Sequence, residues 1–348
     1  MVEKFLTTVV GSMPKRPWLL GENRAPGIGT RGQGWELRWA YEREALRQAQ
    51  DDATRLAIRD QENAGIDIIS DGEQRRRYYI TYVIEGLEGL DFENLAEKVV
   101  RSGNTFDVGR CVSPVNRTKP LLEEDLRFLL AETGRPVKMT LPGPVTVVDS
   151  LVDEHYGDER ELGLAVADAL NEEARALDAL GPAVIQFDEP AFSRQPEKVA
   201  DWGIEALDRA CWGLQAKTAT HICYGYPKPG QEHKIVDSYP VILKELEKSK
   251  IDQLSLEFEA SGLDPVLLRL CPSKTVLFGC ISNGTLGTAI ESPEDVAGKL
   301  LAAAEHLPPE QIQAAPDCGL VKLDVETARA KLAAMVEGAR LARERYGS

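Results

Sequence analysis

The sequence lacks a long hydrophobic run, an excess of positive charge and a dense cysteine framework, and each absence removes a class of protein. The apolar stretch within MVEKFLTTVVGSMPKRP is short and has neither a charged leader nor a cleavage site, so neither a signal peptide nor a membrane span is expected there. Lys and Arg number 41 against 56 Asp and Glu, a net charge of −15 with a pI near 4.9. A surface of that sign repels nucleic acid and anionic membranes, and neither is expected as a partner. Six cysteines spread over 348 residues do not have the spacing of a disulfide-stapled domain. That fits a reducing compartment, and a cytoplasmic protein is expected. There is no low-complexity segment, and no Gly-rich phosphate loop follows the first strand-like run, which speaks against an open dinucleotide-binding sheet.

What is present is alternation. Eight apolar runs of strand length end in Gly, Pro or a polar residue: 7–12 (TTVVGS), 66–73 (IDIISDGE), 137–144 (VKMTLPGP), 184–190 (VIQFDEP), 219–224 (ATHICY), 253–259 (QLSLEFE), 275–282 (TVLFGCIS) and 312–319 (IQAAPDCG). Between them lie helix-like segments at 35–64, 159–180, 198–216, 293–306 and 325–346, with apolar residues three and four apart. Eight strands alternating with helices predict an α/β fold, a single (β/α)₈ TIM barrel spanning residues 1–348. Residues 90–117, containing NTFDVGRCVSPVNR, break the alternation and read as an inserted hairpin over the barrel mouth, with Gly109 near its turn. The polar segments 14–34 and 225–239, rich in Gly and Pro, read as loops covering the mouth, the second as a lid.

The chemistry concentrates at the strand ends. In THICYG, His221 and Cys223 are one residue apart, which on a strand points both side chains to one face. A packed thiol beside a satisfied imidazole is the plain alternative for such a pair taken alone. Glu257 in LEFE and Cys318 in PDCGL are the best candidates to complete a Zn²⁺ site from other strands. Strand alternation leaves Glu257 and Glu259 equivalent. The remaining thiols, Cys111, Cys211, Cys271 and Cys280, have no such company and read as core or surface residues. Ser12, Asp71, Glu73, Asp188, Glu189 and Asp317 also fall at strand ends, the rim that carries catalytic residues in a (β/α)₈ barrel. Each carboxylate alone has a structural explanation: Asp71 as a turn residue at Gly72, Asp188 or Glu189 as a helix cap. In a site with two thiolates and an imidazole, a carboxylate is the weakest match and gives way to an incoming thiol, which the metal deprotonates.

Taken in order, GSMP, DGE, PGPVT, IQFDEPAF, THICYG, LEFE and PDCGL resemble the catalytic half of cobalamin-independent methionine synthase, over essentially the whole chain. The resemblance implies a zinc-dependent thiol alkyltransferase with zinc on His221, Cys223, Glu257 and Cys318, and it selects Glu257 over Glu259. It also implies homocysteine as the thiol, with Ser12 on its backbone and Glu73 and Asp188 on its ammonium. Methionine is the product, and Arg76 falls at the family's arginine position.

Three departures modify that picture. The two-barrel members carry an N-terminal half for the folate donor that this chain has no room for. Ser150 stands where the family has a tryptophan that stacks on the pterin. No histidine stands in GCISNGTLGTAIES, where the family has its general acid; Ser282, Asn283 and Thr285 are the polar residues there. A methyl-corrinoid, free or on a corrinoid protein, is therefore expected as donor. Similar short homologues include epoxyalkane:coenzyme M transferases, in which the arginine run at 75–77 would hold a sulfonate. A non-catalytic barrel binding zinc or a corrinoid and a metal-free barrel related to porphyrinogen decarboxylases are the further alternatives.

Overall fold

The computed structural model describes residues 3–21, 39–99, 105–223, 238–284 and 287–347. Two long strands, β1 (Glu88–Val99) and β2 (Thr105–Asn116), pair antiparallel. After β3 (Lys138–Pro142) comes the short β4 (Leu151–Asp153), which pairs parallel with β2 and ties the hairpin to the end of β3. The parallel sheet continues with β5 (Val184–Asp188), β6 (Lys217–Ile222), β7 (Gln253–Leu256), β8 (Thr275–Ile281) and β9 (Ile312–Pro316), in the spatial order β3-β5-β6-β7-β8-β9.

Two short segments close this sheet into a barrel. Thr7 bridges to Ala314 of β9, Thr8 to Ile68, and Ile69 to Val137 beside β3, all parallel. The Thr8 N–H donates to Ala314 O at 3.0 Å and the Ala314 N–H to Leu6 O at 2.7 Å, so the seam between first and last strands is hydrogen-bonded. The eight strands are the eight runs expected from sequence. β3, β5, β7 and β9 are buried along their whole length, as strands covered on both faces must be. Ile68, Val184 and Ala219 form an apolar floor inside the barrel.

Local chemistry fixes the helix ends. The Asp158 carboxylate accepts the N–H groups of Arg160 and Glu161 at the start of helix Glu159–Asp178, and Ser292 accepts that of Asp295 before Pro293–Ala303. Gly65 at φ +89° ends the helix Arg43–Ala64 in the left-handed conformation. The run expected as one helix over 198–216 is helical as far as Ala210, with one wider π-type stretch at Val199–Gly203 leading into Ile204–Ala210. Helices Glu123–Glu132 and Tyr239–Lys248 are additional to those expected. Gly109 is not at a turn: it lies within β2 opposite Leu151, and a Cβ there would fall 2.5 Å from the Phe92 ring. Among the described residues no helix is long and apolar enough to cross a membrane. Most of the expected loops at 14–34 and 225–239 lies outside the described residues.

Candidate metal and substrate site

β6, β7 and the turn after β9 bring His221, Cys223, Glu257 and Cys318 together, all buried, with one ligand atom from each within 4.8 Å of the others. The ladder sets His221 beside Ser255 of β7 and Asp188 of β5. The His221 Nδ1 lies 3.3 Å from Ser255 Oγ, while its Nε2, buried, has no hydrogen-bond partner among the described residues. Cys223 lies one residue past β6, where Ser193 Oγ donates to its carbonyl at 2.6 Å.

The fit to a tetrahedral ion can be tested on the thiols. Two thiolates on zinc at about 2.3 Å each would sit about 3.8 Å apart. Cys223 Sγ and Cys318 Sγ are 3.6 Å apart. Their hydrogen bond and burial push the Cys223 thiol well above its ordinary range, so the site holds protons until a cation displaces them. A buried pair of thiols, a carboxylate and an imidazole nitrogen without a partner form a donor set suited to zinc.

Two buried groups outside the donor set shape it. Tyr239 donates its hydroxyl to Ile222 O at 2.8 Å and accepts the Glu257 N–H at 3.1 Å, joining the ends of β6 and β7. The Asp317 carboxylate accepts three backbone N–H groups, from Phe258 (3.0 Å), Glu259 (2.9 Å) and Ala260 (2.6 Å), and so ties the turn after β7 to the end of β9. Tyr239→Phe is expected to weaken zinc affinity about 10–100-fold, as for other outer-shell partners, with the fold intact. Chelator competition checks this; an unchanged affinity would reduce Tyr239 to packing.

Glu257 and Glu259 are not equivalent. β7 stops at Leu256, so strand alternation reaches neither; the turn that follows puts the Glu257 carboxylate in the ligand cluster, whereas that of Glu259 pairs with Lys299 on helix Pro293–Ala303.

On the other side of the mouth, Glu73 sits at φ +54°, a left-handed conformation unusual for a side-chain-bearing residue. Asp71 holds it there by accepting the Glu73 N–H at 2.9 Å, and Lys15 Nζ donates to the Glu73 carbonyl at 2.7 Å. The expected turn role of Asp71 is thus observed. Burial pushes the Glu73 carboxyl up, opposed by the nearby Arg76 guanidinium. Asp188 is raised to about 7, chiefly by burial and against the pull of His221. Ser12 packs on the turn that carries Cys318: a Cβ on Gly319 would fall 2.1 Å from Ser12 Oγ. Glu189 is a cap, its two oxygens accepting the N–H groups of Val145 and Thr146 at 2.9 Å at the start of helix Pro144–Asp149.

The three arginines of the run have different surroundings. Arg75 pairs with Asp51 and Asp125, Arg77 is exposed, and Arg76 is buried with its guanidinium on Thr140 O and Oγ1, both at 2.9 Å. Arg76 therefore bears on the site through Thr140 and Glu73, which share a 2.9 Å hydrogen bond. Its Nε, also buried, has no hydrogen-bond partner among the described residues.

The family model described as cobalamin-independent synthase, catalytic domain, matches residues 5–341. This chain belongs to the cobalamin-independent methionine synthase family. Methionine synthase of Sulfurisphaera tokodaii is 31% identical over 97% of this chain and 92% of its own, and that of Saccharolobus islandicus 32% identical over 97% and 95%. The structure of a B12-independent methionine synthase from Shewanella sp. W3-18-1, in complex with selenomethionine, superposes with a TM-score of 0.90 at 36% identity, covering 99% of each chain. As a member of the methionine synthase family the protein is a methyltransferase, and the readings as a non-catalytic or decarboxylase-like barrel give way. The expected methyl-corrinoid donor finds no support in a family defined by its independence of cobalamin.

The two local departures from the methionine synthase pattern have structural uses. Ser150 ends helix Pro144–Asp149 and turns its hydroxyl back to Thr146 O at 2.8 Å. After β8, the Ser282 Oγ accepts the Gly284 N–H at 3.3 Å in the following turn, and the Ser282 backbone N–H donates to Glu291, which pairs with the buried Lys331. Thr285 lies outside the described residues.

Proposed function

We propose that this methyltransferase makes methionine from homocysteine, with zinc held by His221, Cys223, Glu257 and Cys318. The observation that carries the reading is the convergence of those four buried side chains, from three strand ends, on a spacing that suits a tetrahedral ion. A zinc ion there supplies the acidity that turns a thiol into a thiolate at neutral pH.

The chain's own residues select and orient the amino acid. Glu73 and Asp188, at strand ends on either side of β3, face its ammonium together, and Ser12 meets its backbone beside the Cys318 turn. Burial makes that recognition strong, because a charge-assisted contact gains in a site shielded from water. In the transfer itself the sulfur–methyl bond forms as the donor–methyl bond breaks; the proton lost by the thiol on binding is balanced by one that the demethylated donor takes up as it leaves. The structure of the Shewanella relative with selenomethionine supports an amino-acid site in this barrel. The donor is read as cobalamin-free, and its recognition cannot use an aromatic face at Ser150.

The test is zinc content together with proton release at fixed pH on adding homocysteine or mercaptoethanesulfonate. One zinc per chain and release with homocysteine alone are expected. Absence of zinc, or an equal response to both thiols, would overturn the assignment. Methionine formation from a methylated tetrahydropteroylglutamate, compared with methylcobalamin, then decides the donor.

A further inference from the structure

The ladder bridges of the first barrel strand stop at Thr8, and its next three carbonyls accept from side chains instead. Val9 O accepts from Lys138 Nζ at 2.8 Å, Val10 O from Gln186 Nε2 at 2.8 Å and Gly11 O from Ser70 Oγ at 2.7 Å. The same Gln186 nitrogen donates to Asp188 Oδ1 at 2.8 Å. One amide thus spends one N–H on the strand that delivers Ser12 and the other on Asp188.

The orientation of this amide is forced. Both neighbours of the nitrogen are acceptors, a carbonyl and a carboxylate, so a flipped amide would set its oxygen against two oxygens. The consequence is that Gln186 Oε1, in a side chain with no exposed surface, has no partner among the described residues. A methionine would fill the same volume without burying an unpartnered amide oxygen, but it would strip Val10 O and Asp188 Oδ1 of their shared donor; those two bonds, not packing, account for a glutamine here. The amide occupies Asp188 Oδ1 and leaves Oδ2 without a donor among the described residues.

We infer that Gln186 is a positioning residue for amino-acid recognition, setting the Asp188 carboxylate and the Ser12 strand in one fixed register. The inference rests on the reading that Asp188 receives the substrate ammonium. Gln186 touches neither the metal ligands' donor atoms nor the transferred methyl group in this scheme, so its effect passes through binding.

A double-mutant cycle on the homocysteine KM tests it, using Gln186→Met and Asp188→Asn. Gln186→Met is expected to raise KM on the order of tenfold, with kcat and zinc content changed far less. In the Asp188→Asn background the same substitution should add little, because the group it acts through is already altered. Gln186→Asn, which keeps the amide but is too short to reach Val10 and Asp188 together, covers a methionine variant that does not fold; it should also raise KM. If Asp188→Asn raises KM while the Gln186 variants leave it unchanged, or if the effects simply add, the positioning role is overturned and the recognition reading stands. If Asp188→Asn itself leaves KM unchanged, both fall.

Discussion

Cys318→Ser is expected to empty the metal site and remove activity while the barrel stays folded. Zinc sites of this kind are worth about 10–16 kcal/mol in all, so one of four ligands carries about 3–4 kcal/mol, on the order of 10²–10³ in affinity. A hydroxyl in place of the thiolate recovers little of that, since zinc at this site is matched to soft sulfur. The fold should survive because Cys318 lies past the end of β9, next to a carboxylate, Asp317, that already secures the neighbouring turn by three backbone hydrogen bonds. Zinc analysis and a thermal melt under reducing conditions check both halves of the statement. Loss of the folded state in the variant, with metal-free parent protein still folded, would turn the ion into a structural staple.

Asp188→Asn should raise the homocysteine KM by about 10–100-fold, the worth of a charge-assisted hydrogen bond of about 1.5–3 kcal/mol. The pH dependence has a definite sign. With its acidity moved up to about 7, Asp188 is charged above that pH and neutral below it, so the free enzyme should lose affinity for homocysteine as pH falls through 7. Stability of the metal-free protein runs the other way. A carboxyl whose folded value lies above its unfolded value binds more protons when folded, so stability falls as pH rises from the ordinary carboxyl range toward 7. Asparagine removes that penalty. The variant should therefore melt above the parent at pH 8, with the gap closing as pH is lowered; a variant less stable at pH 8 would contradict the buried-charge account.

Residue types with unusual chemistry were the legible part of the site. A histidine and a cysteine one apart at a strand end, with a second cysteine after the last strand, announce themselves in sequence, and the structure brings them to one point. Whether Glu257 or Glu259 joins them is set by the turn after β7, past the end of the strand, where alternation no longer applies. The partners within the arginine run are less legible: charge shows composition, whereas Asp51 and Asp125, which engage Arg75, come from distant helices. The contacts made by Lys138 and Gln186 were invisible because they join residues 129 and 176 positions apart and leave no periodic trace. One signal was available. A lysine inside the otherwise apolar run VKMTL is costly to bury, and it reaches a carbonyl across the barrel.

The seam at Thr7 and Ala314 joins two half-barrels with different duties. All four proposed metal ligands hang from the second half, β6 to β9, whereas Ser12 and Glu73 belong to the first two strands and Asp188 stands at the border. Such a division lets one half drift in its choice of thiol while the other keeps its ion unchanged. Exchange of the leading strands between relatives is thus a route by which one zinc platform could serve several acceptors.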